Sequence, residues 1–218
     1  GLADLGIGSG NHVAVMLGNH CDHIFTFLAL AKLGAVWVPV NVNLRGASLE
    51  WVIANSAPRA IIADAEFWKQ LEPALTGSIV ELLVVRNTIP VEIAREIFDF
   101  STVAEEGAAP PAGAPTLNET RAVIFTSGTT GPPKGALLTE RMLQTCAIGA
   151  GIAADVHPGD IFLLWEPIYH TAGAQMCILA LREAVTLAIV PRFSASRFWD
   201  QARRYGVTKM HYLGGVLD

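Results

Sequence analysis

The chain has 218 residues, 51% of them hydrophobic and 16% charged, with a formal net charge of -5. Such a composition builds a large buried core and excludes disorder as the main state, and it leaves no Lys/Arg cluster for a phosphate backbone, which argues against a nucleic-acid partner. The most apolar stretch, Ile24 to Ala31, stops at Lys32, well short of the roughly 18–20 apolar residues that a bilayer crossing needs.

In chain order, His12 to Leu17 is a short β-branched run, followed by turn residues at Gly18-Asn19. Apolar residues at helical spacing come next: Ile24, Phe25, Phe27, Leu28, Ala31 and Leu33. Gly34 is placed to end that helix in a left-handed cap, and Ala35 to Val40 reads as a second strand, giving a βαβ-like unit. Leu49, Val52 and Ile53 mark a helix closed by Pro58, Ala60 to Ala63 a strand, Phe67, Trp68 and Leu71 a helix, and Ile79 to Val85 a strong strand. Alternation of this kind predicts an α/β fold with mainly parallel sheets covered by helices.

The segment 107–118, Gly-Ala-Ala-Pro-Pro-Ala-Gly-Ala-Pro-Thr-Leu-Asn, lacks hydrophobic periodicity and reads as a linker or long surface loop. The expected organisation is a first α/β subdomain over 1–106 and a second over 119–218. The second is expected to hold strands at Arg121–Thr126 and Gly135–Leu138, a helix from Thr139 to about Gly149, and a strand at Ile161–Trp165. A helix at Ala172–Leu181, a strand at Val185–Val190 and a helix capped by Ser196 follow. That last helix carries Phe198, Trp199, Ala202 and Tyr205 on one face, and Val207–Tyr212 is the final strand. Cys21, Cys146 and Cys177 are scattered among apolar residues and are expected to be buried, reduced thiols, as in a cytoplasmic protein. Gly1 to Gly10 shows no secretory pattern. With no initiating Met and an end just past a glycine pair, the sequence reads as an incomplete piece of a longer chain, whose exposed apolar surface would favour self-association into a homo-oligomer.

The chemistry concentrates in Thr126-Ser127-Gly128-Thr129-Thr130-Gly131-Pro132-Pro133-Lys134-Gly135, directly after a buried strand. Glycines let backbone N–H groups turn toward an anion, hydroxyls add rotatable donors, and Lys134 supplies a point charge for phosphate oxygens. The segment is not a Walker A loop, because Pro133 stands where that motif needs Gly before Lys.

This segment resembles the phosphate-binding signature of the adenylate-forming superfamily, which includes acyl-CoA synthetases, peptide-synthetase adenylation domains and luciferases. Ala31-Lys32-Leu33-Gly34-Ala35-Val36-Trp37-Val38-Pro39-Val40-Asn41 is similar to the family's early A-x-x-x-G-A-x-x-x-P-x-N element. Pro167-Ile168-Tyr169-His170-Thr171-Ala172-Gly173 is similar to its P-x-x-H-x-x-G signature. The A-K-L-G-A start and Ser194-Ala195-Ser196-Arg197-Phe198-Trp199 look most like the branch of crotonobetaine/carnitine-CoA ligases.

The resemblance implies a two-step reaction in which a carboxylate attacks the α-phosphate of Mg-ATP to give acyl-AMP and pyrophosphate, and the CoA thiol then displaces AMP to give acyl-CoA. It implies that Thr126, Ser127, Gly128, Thr129, Thr130, Gly131 and Lys134 hold the β- and γ-phosphates, that His170 lies between the carboxylate and the α-phosphate, and that Tyr169, Thr171 and Ala172 line the acyl tunnel. It further implies ATP, Mg2+ and CoA as partners in chemistry, no metal ligands in this segment, and a C-terminal domain bearing the adenylation lysine, without which the piece alone is expected to be inactive. Thr139-Glu140-Arg141 departs from the hydroxyl–His pair common in the family. Two other readings stand beside this one: an adenylation domain loading a carrier protein, and a nucleotide-binding relative without catalysis.

Overall fold

The structure, a computed structural model, describes residues 1–88, 96–104, 116–126 and 131–212. The chain divides into two compact units, Gly1–Leu17 with Phe25–Glu140, and Gly18–Ile24 with Arg141–Asp218.

The first unit is built on a seven-stranded sheet in the order β5-β4-β3-β1-β2-β6-β7. Its strands are β1 (His12–Met16), β2 (Val36–Pro39), β3 (Ala60–Asp64), β4 (Leu82–Arg86), β5 (Ile97–Asp99), β6 (Thr120–Phe125) and β7 (Gly135–Thr139). Every pair is parallel except β6 with β7. The sequence dictates this: β1, β2 and β3 are continuous apolar runs buried along nearly their whole length, as strands covered on both faces must be. α1 (Cys21–Leu33) joins β1 to β2, and α2 (Gly46–Ser56) joins β2 to β3. The stretch from Ala65–Phe67, a 3-10 turn, into α3 (Trp68–Ala74) joins β3 to β4, and the short α4 (Phe100–Val103) follows β5. Ala14, Met16, Leu49, Val52, Ile53, Ile61, Leu71 and Leu83 form the main core of this unit.

Gly34 ends α1 with φ +71°, the cap its position predicts. The buried face of α1 differs from the expected apolar stripe. Phe27 and Leu30 are buried, but so are His23 and Thr26, whereas Phe25 is 62% exposed. β4 begins at Leu82, later than the expected Ile79, which is exposed.

Most of the expected 107–118 connection, residues 107–115, lies outside the described residues. β6 and β7, which follow it in sequence, hydrogen-bond into the first sheet through β2 and β6. A proline- and glycine-rich stretch signals a long connection and carries no information about which sheet the next strand joins. Arg121 on β6 is buried with its guanidinium against Glu119 and, at 3.7 Å, Glu140, and it reaches the Gly34 carbonyl at 3.3 Å.

The second unit carries a parallel three-stranded sheet, β10-β8-β9, from β8 (Ile161–Leu164), β9 (Thr186–Ile189) and β10 (Lys209–Met210). Its helices are α5 (Glu140–Ala153), α6 (Thr171–Glu183) and α7 (Ala195–Tyr205). Leu163, Trp165, Val190 and Phe198 form its core cluster. Two expectations for α7 are corrected. The N-cap is Ser194 and not Ser196, which lies in the first turn. Phe198 is buried but Trp199 is 62% exposed, because adjacent helical residues point about 100° apart and only one can face the sheet. No helix among the described residues is long and apolar enough to cross a membrane.

The cysteines also depart from expectation: Cys177 is buried, but Cys21 and Cys146 are exposed. Burial pushes the Cys177 thiol up to about 12, so it stays protonated and unreactive in the native fold. A thiol-exchange reagent at pH 8 is therefore expected to modify Cys21 and Cys146 within minutes and Cys177 only after denaturant is added, with mass spectrometry assigning the sites.

Candidate functional site

In the first unit the candidate phosphate loop is the connection of the β6–β7 hairpin. Two strands joined by so short a segment must run antiparallel, and they do. Thr126 and Lys134 close its mouth: Thr126 N–H donates to the Lys134 carbonyl at 3.0 Å, and Lys134 N–H donates to Thr126 Oγ1 at 3.3 Å. Gly135 packs so closely that an added Cβ would lie 2.9 Å from Val123 Cγ1, so a side chain there would force Val123 to move. The exit from the loop is held at a second point, where Trp51 Nε1–H on α2 donates to the Pro133 carbonyl at 3.0 Å. Thr126, Gly131 and Lys134 are all exposed. Ser127, Gly128, Thr129 and Thr130 lie outside the described residues.

In the second unit β8 runs into Trp165-Glu166-Pro167-Ile168-Tyr169-His170 and then α6. His170 is the helix N-cap, with extended backbone, and its side chain is exposed. Its N–H donates to the Pro167 carbonyl at 3.0 Å, and its own carbonyl accepts the Ala174 N–H at 3.0 Å, so the residue is fixed through the backbone on both sides. The position puts the imidazole at the positive end of a thirteen-residue helix, where negative charge is stabilised. Tyr169 is buried with its ring centroid 5.1 Å from that of His170, Thr171 is exposed and Ala172 is half-buried.

Two features bend the chain into this shape. Gly173 lies against the preceding turn: a Cβ there would fall 2.3 Å from the Pro167 oxygen and 2.7 Å from its carbon. Backbone cannot yield that distance cheaply, so Gly173→Ala is expected to destabilise the protein by about 2–4 kcal/mol, read as a fall in the midpoint of denaturant unfolding. The second feature is Asn19. Its Nδ2 donates to the Glu166 carbonyl at 2.8 Å and more weakly to the Val190 carbonyl at 3.4 Å, while its Oδ1 accepts the Ile168 N–H at 2.9 Å. One amide thus clamps the backbone on both sides of Pro167. In the sequence Asn19 reads only as a turn residue, and no local pattern pairs it with a segment so distant along the chain.

Glu166 and His211, which follow β8 and β10, were also silent in the sequence. The buried Glu166 carboxylate meets His211 Nδ1 at 2.7 Å. Among the described residues no group of three or more His, Cys, Asp or Glu side chains is placed to hold a metal ion.

The hairpin that carries the glycine-, hydroxyl- and lysine-containing loop and the P-x-x-H-x-x-G turn that opens α6 are two of the elements on which the resemblance to the adenylate-forming class rests. The profile of the AMP-binding enzyme family matches residues 1–218, and the chain belongs to that family. It is 29% identical over 209 residues to a crotonobetaine/carnitine–CoA ligase of Citrobacter koseri, covering 93% of this chain and 40% of that protein. Among solved structures, a fatty acyl CoA synthetase of Mycobacterium tuberculosis superposes with a TM-score of 0.85 at 24% identity, covering 99% of this chain and 41% of that one. The inhibitor-bound N-terminal domain of FACL13 from the same organism superposes with a TM-score of 0.86 at 25% identity, covering 99% of this chain and 53% of that domain. The chain thus spans about two fifths of the length of the curated relatives it matches.

Proposed function

We propose that this chain is the N-terminal part of an ATP-dependent acyl-CoA ligase that activates a small carboxylic acid as acyl-AMP and passes it to CoA. The observation that carries this reading is the β6–β7 hairpin, whose loop is pinned at its mouth by Thr126 and Lys134 and at its exit by Trp51. A rigid frame holds donors in place before charge develops, and this is what makes a phosphate cradle stabilise departing pyrophosphate. In this proposal Thr126, Ser127, Gly128, Thr129, Thr130, Gly131 and Lys134 hold the β- and γ-phosphates. Gly131, at φ +148°, occupies backbone conformations that L side chains rarely adopt.

His170, fixed at the N-cap of α6, lies between the carboxylate and the α-phosphate in this reading and donates a hydrogen bond to the charge that builds on the α-phosphate oxygens, and Tyr169, Thr171 and Ala172 line the acyl side. Mg2+ neutralises the triphosphate when bound. The similarity to ligases named for crotonobetaine and carnitine supports a short polar acid over a long fatty chain.

The test is carboxylate-dependent ATP–pyrophosphate exchange by the full-length protein with a panel of short, long, aromatic and betaine acids. Exchange with one class, falling in His170→Ala, supports the proposal. Absence of exchange with every acid overturns it in favour of a nucleotide-binding relative without catalysis, and acyl transfer to a carrier protein in place of CoA would correct the acceptor.

A further inference from the structure

The pair formed by Glu166 and His211 is not used in the reading above. β8 and β10 are adjacent parallel strands, with Phe162 beside Lys209 and Leu163 beside Met210, so Glu166 and His211 leave the sheet at the same carboxyl end. In open parallel sheets that end is where ligands bind. Both residues are held through their backbones: Asn19 Nδ2 donates to the Glu166 carbonyl, and Trp165 Nε1–H donates to the His211 carbonyl at 2.9 Å.

The side chains differ sharply in exposure. Glu166 is 6% exposed and His211 39%, so the carboxylate is buried while the ring keeps access to solvent. An ionised carboxylate only accepts, which commits His211 Nδ1 to donating toward it and leaves Nε2 as the atom free to meet a ligand. Among the described residues Nε2 has no hydrogen-bond partner. Pro167–His170, the turn proposed beside the acid, begins at the residue after Glu166.

We propose that Glu166 and His211 read a hydroxyl group on the acyl part of the substrate, with His211 Nε2 making the contact and Glu166 acting as its positioning residue. A hydroxyl is the group that fits, because it both donates and accepts. The hydroxyl donates to the Nε2 lone pair when the ring is neutral and accepts from Nε2–H when the ring is charged. A plain alkyl chain at the same place would strip water from Nε2 and return nothing, and sites built to hydrogen-bond a substrate hydroxyl discriminate strongly against the analogue lacking it. The preferred acids are therefore hydroxy-carboxylic acids, a class narrower than the ligase reading on which this inference rests.

The test compares acids hydroxylated at successive carbons with their unsubstituted counterparts of equal length, in pyrophosphate exchange by the full-length protein. Wild type is expected to favour one hydroxy acid by at least tenfold in kcat/KM. His211→Phe keeps the ring's shape and should bring that ratio to about one while sparing exchange with the plain acid, and Glu166→Gln should lower it in the same sense. Equal losses for both acids, or an unchanged ratio in both variants, would make the pair a structural tie and overturn the proposal. Titration followed by the 15N resonances of His211 reads binding without turnover. The hydroxy acid should shift Nε2 and the plain acid should not, and no shift with any hydroxy acid overturns the inference. Absence of exchange accompanied by an Nε2 shift would instead sink only the ligase reading.

Discussion

Lys134→Ala in the full-length protein is expected to lower carboxylate-dependent pyrophosphate exchange on the order of 100-fold while leaving unfolding unchanged within about 0.5 kcal/mol. The two halves of this expectation come from different atoms of one residue. The hydrogen bonds that close the hairpin mouth are made by the Lys134 backbone, which an alanine retains. The side chain is exposed, and truncating an exposed side chain away from a packed contact rarely moves stability by more than a few tenths of a kcal/mol.

In the proposed ligase reading, function is affected through charge. The attraction of a preorganised cation for phosphate oxygens strengthens as pyrophosphate departs, and removing one such donor typically costs about 2.7–4 kcal/mol of transition-state stabilisation, or about 100- to 1,000-fold. Lys134→Arg separates position from charge. The guanidinium keeps the charge but is bulkier and forked, so partial recovery is expected if electrostatics dominates and none if the cradle admits only a compact ammonium. Parallel measurement of exchange and of urea unfolding decides the matter: a variant that loses both would show that the loop is held by its lysine side chain, contrary to the frame seen here.

The parts of this protein that were legible in the sequence are those whose cause is local. β1, β2, β3 and β6 are short runs of β-branched and apolar residues, and burial on both faces leaves little else they could form. Gly34 and the hydroxyl-rich loop announce themselves because a backbone conformation or an anion needs those residue types at those places. What was not legible depends on partners far away in sequence. The short connection announces β6 and β7 as a hairpin, but nothing in Gly135–Thr139 tells that it forms the edge of the first sheet. Nothing in His20 to Thr26 tells that His23 and Thr26 face inward while Phe25 faces out. A cysteine among apolar neighbours reads as buried until the helix face is known, and α5 turns Cys146 outward while α6 turns Cys177 inward. The resemblance to a known superfamily pointed to His170 and the loop, but it is silent on Asn19, Trp51, Glu166 and His211, whose roles are set by tertiary hydrogen bonds.

Asn19→Ala is the second substitution expected to have a large effect, and it acts through the backbone of the His170 segment. The Ile168 residue is fully buried and Glu166 nearly so, so the Ile168 N–H and the Glu166 carbonyl lose partners that water cannot readily replace. Leaving a buried polar group unsatisfied costs about 1–3 kcal/mol, and with two such groups the expected loss is about 2–4 kcal/mol, allowing for partial relaxation. Asn19→Asp dissects the clamp. Its carboxylate can still accept the Ile168 N–H, but it has no donor for the carbonyls of Glu166 and Val190 and sets negative charge against both. Both variants should therefore be destabilised, yet amide hydrogen exchange should separate them: the Ile168 N–H is expected to exchange much faster in Asn19→Ala and to stay protected in Asn19→Asp. Because Pro167 and His170 hang from this clamp, exchange activity should fall in both variants even at temperatures where they remain folded. Unchanged Ile168 protection in Asn19→Ala would mean that the turn before α6 is held by its own hydrogen bonds, from His170 N–H to the Pro167 carbonyl and from Ala174 N–H to the His170 carbonyl, with Asn19 as a bystander.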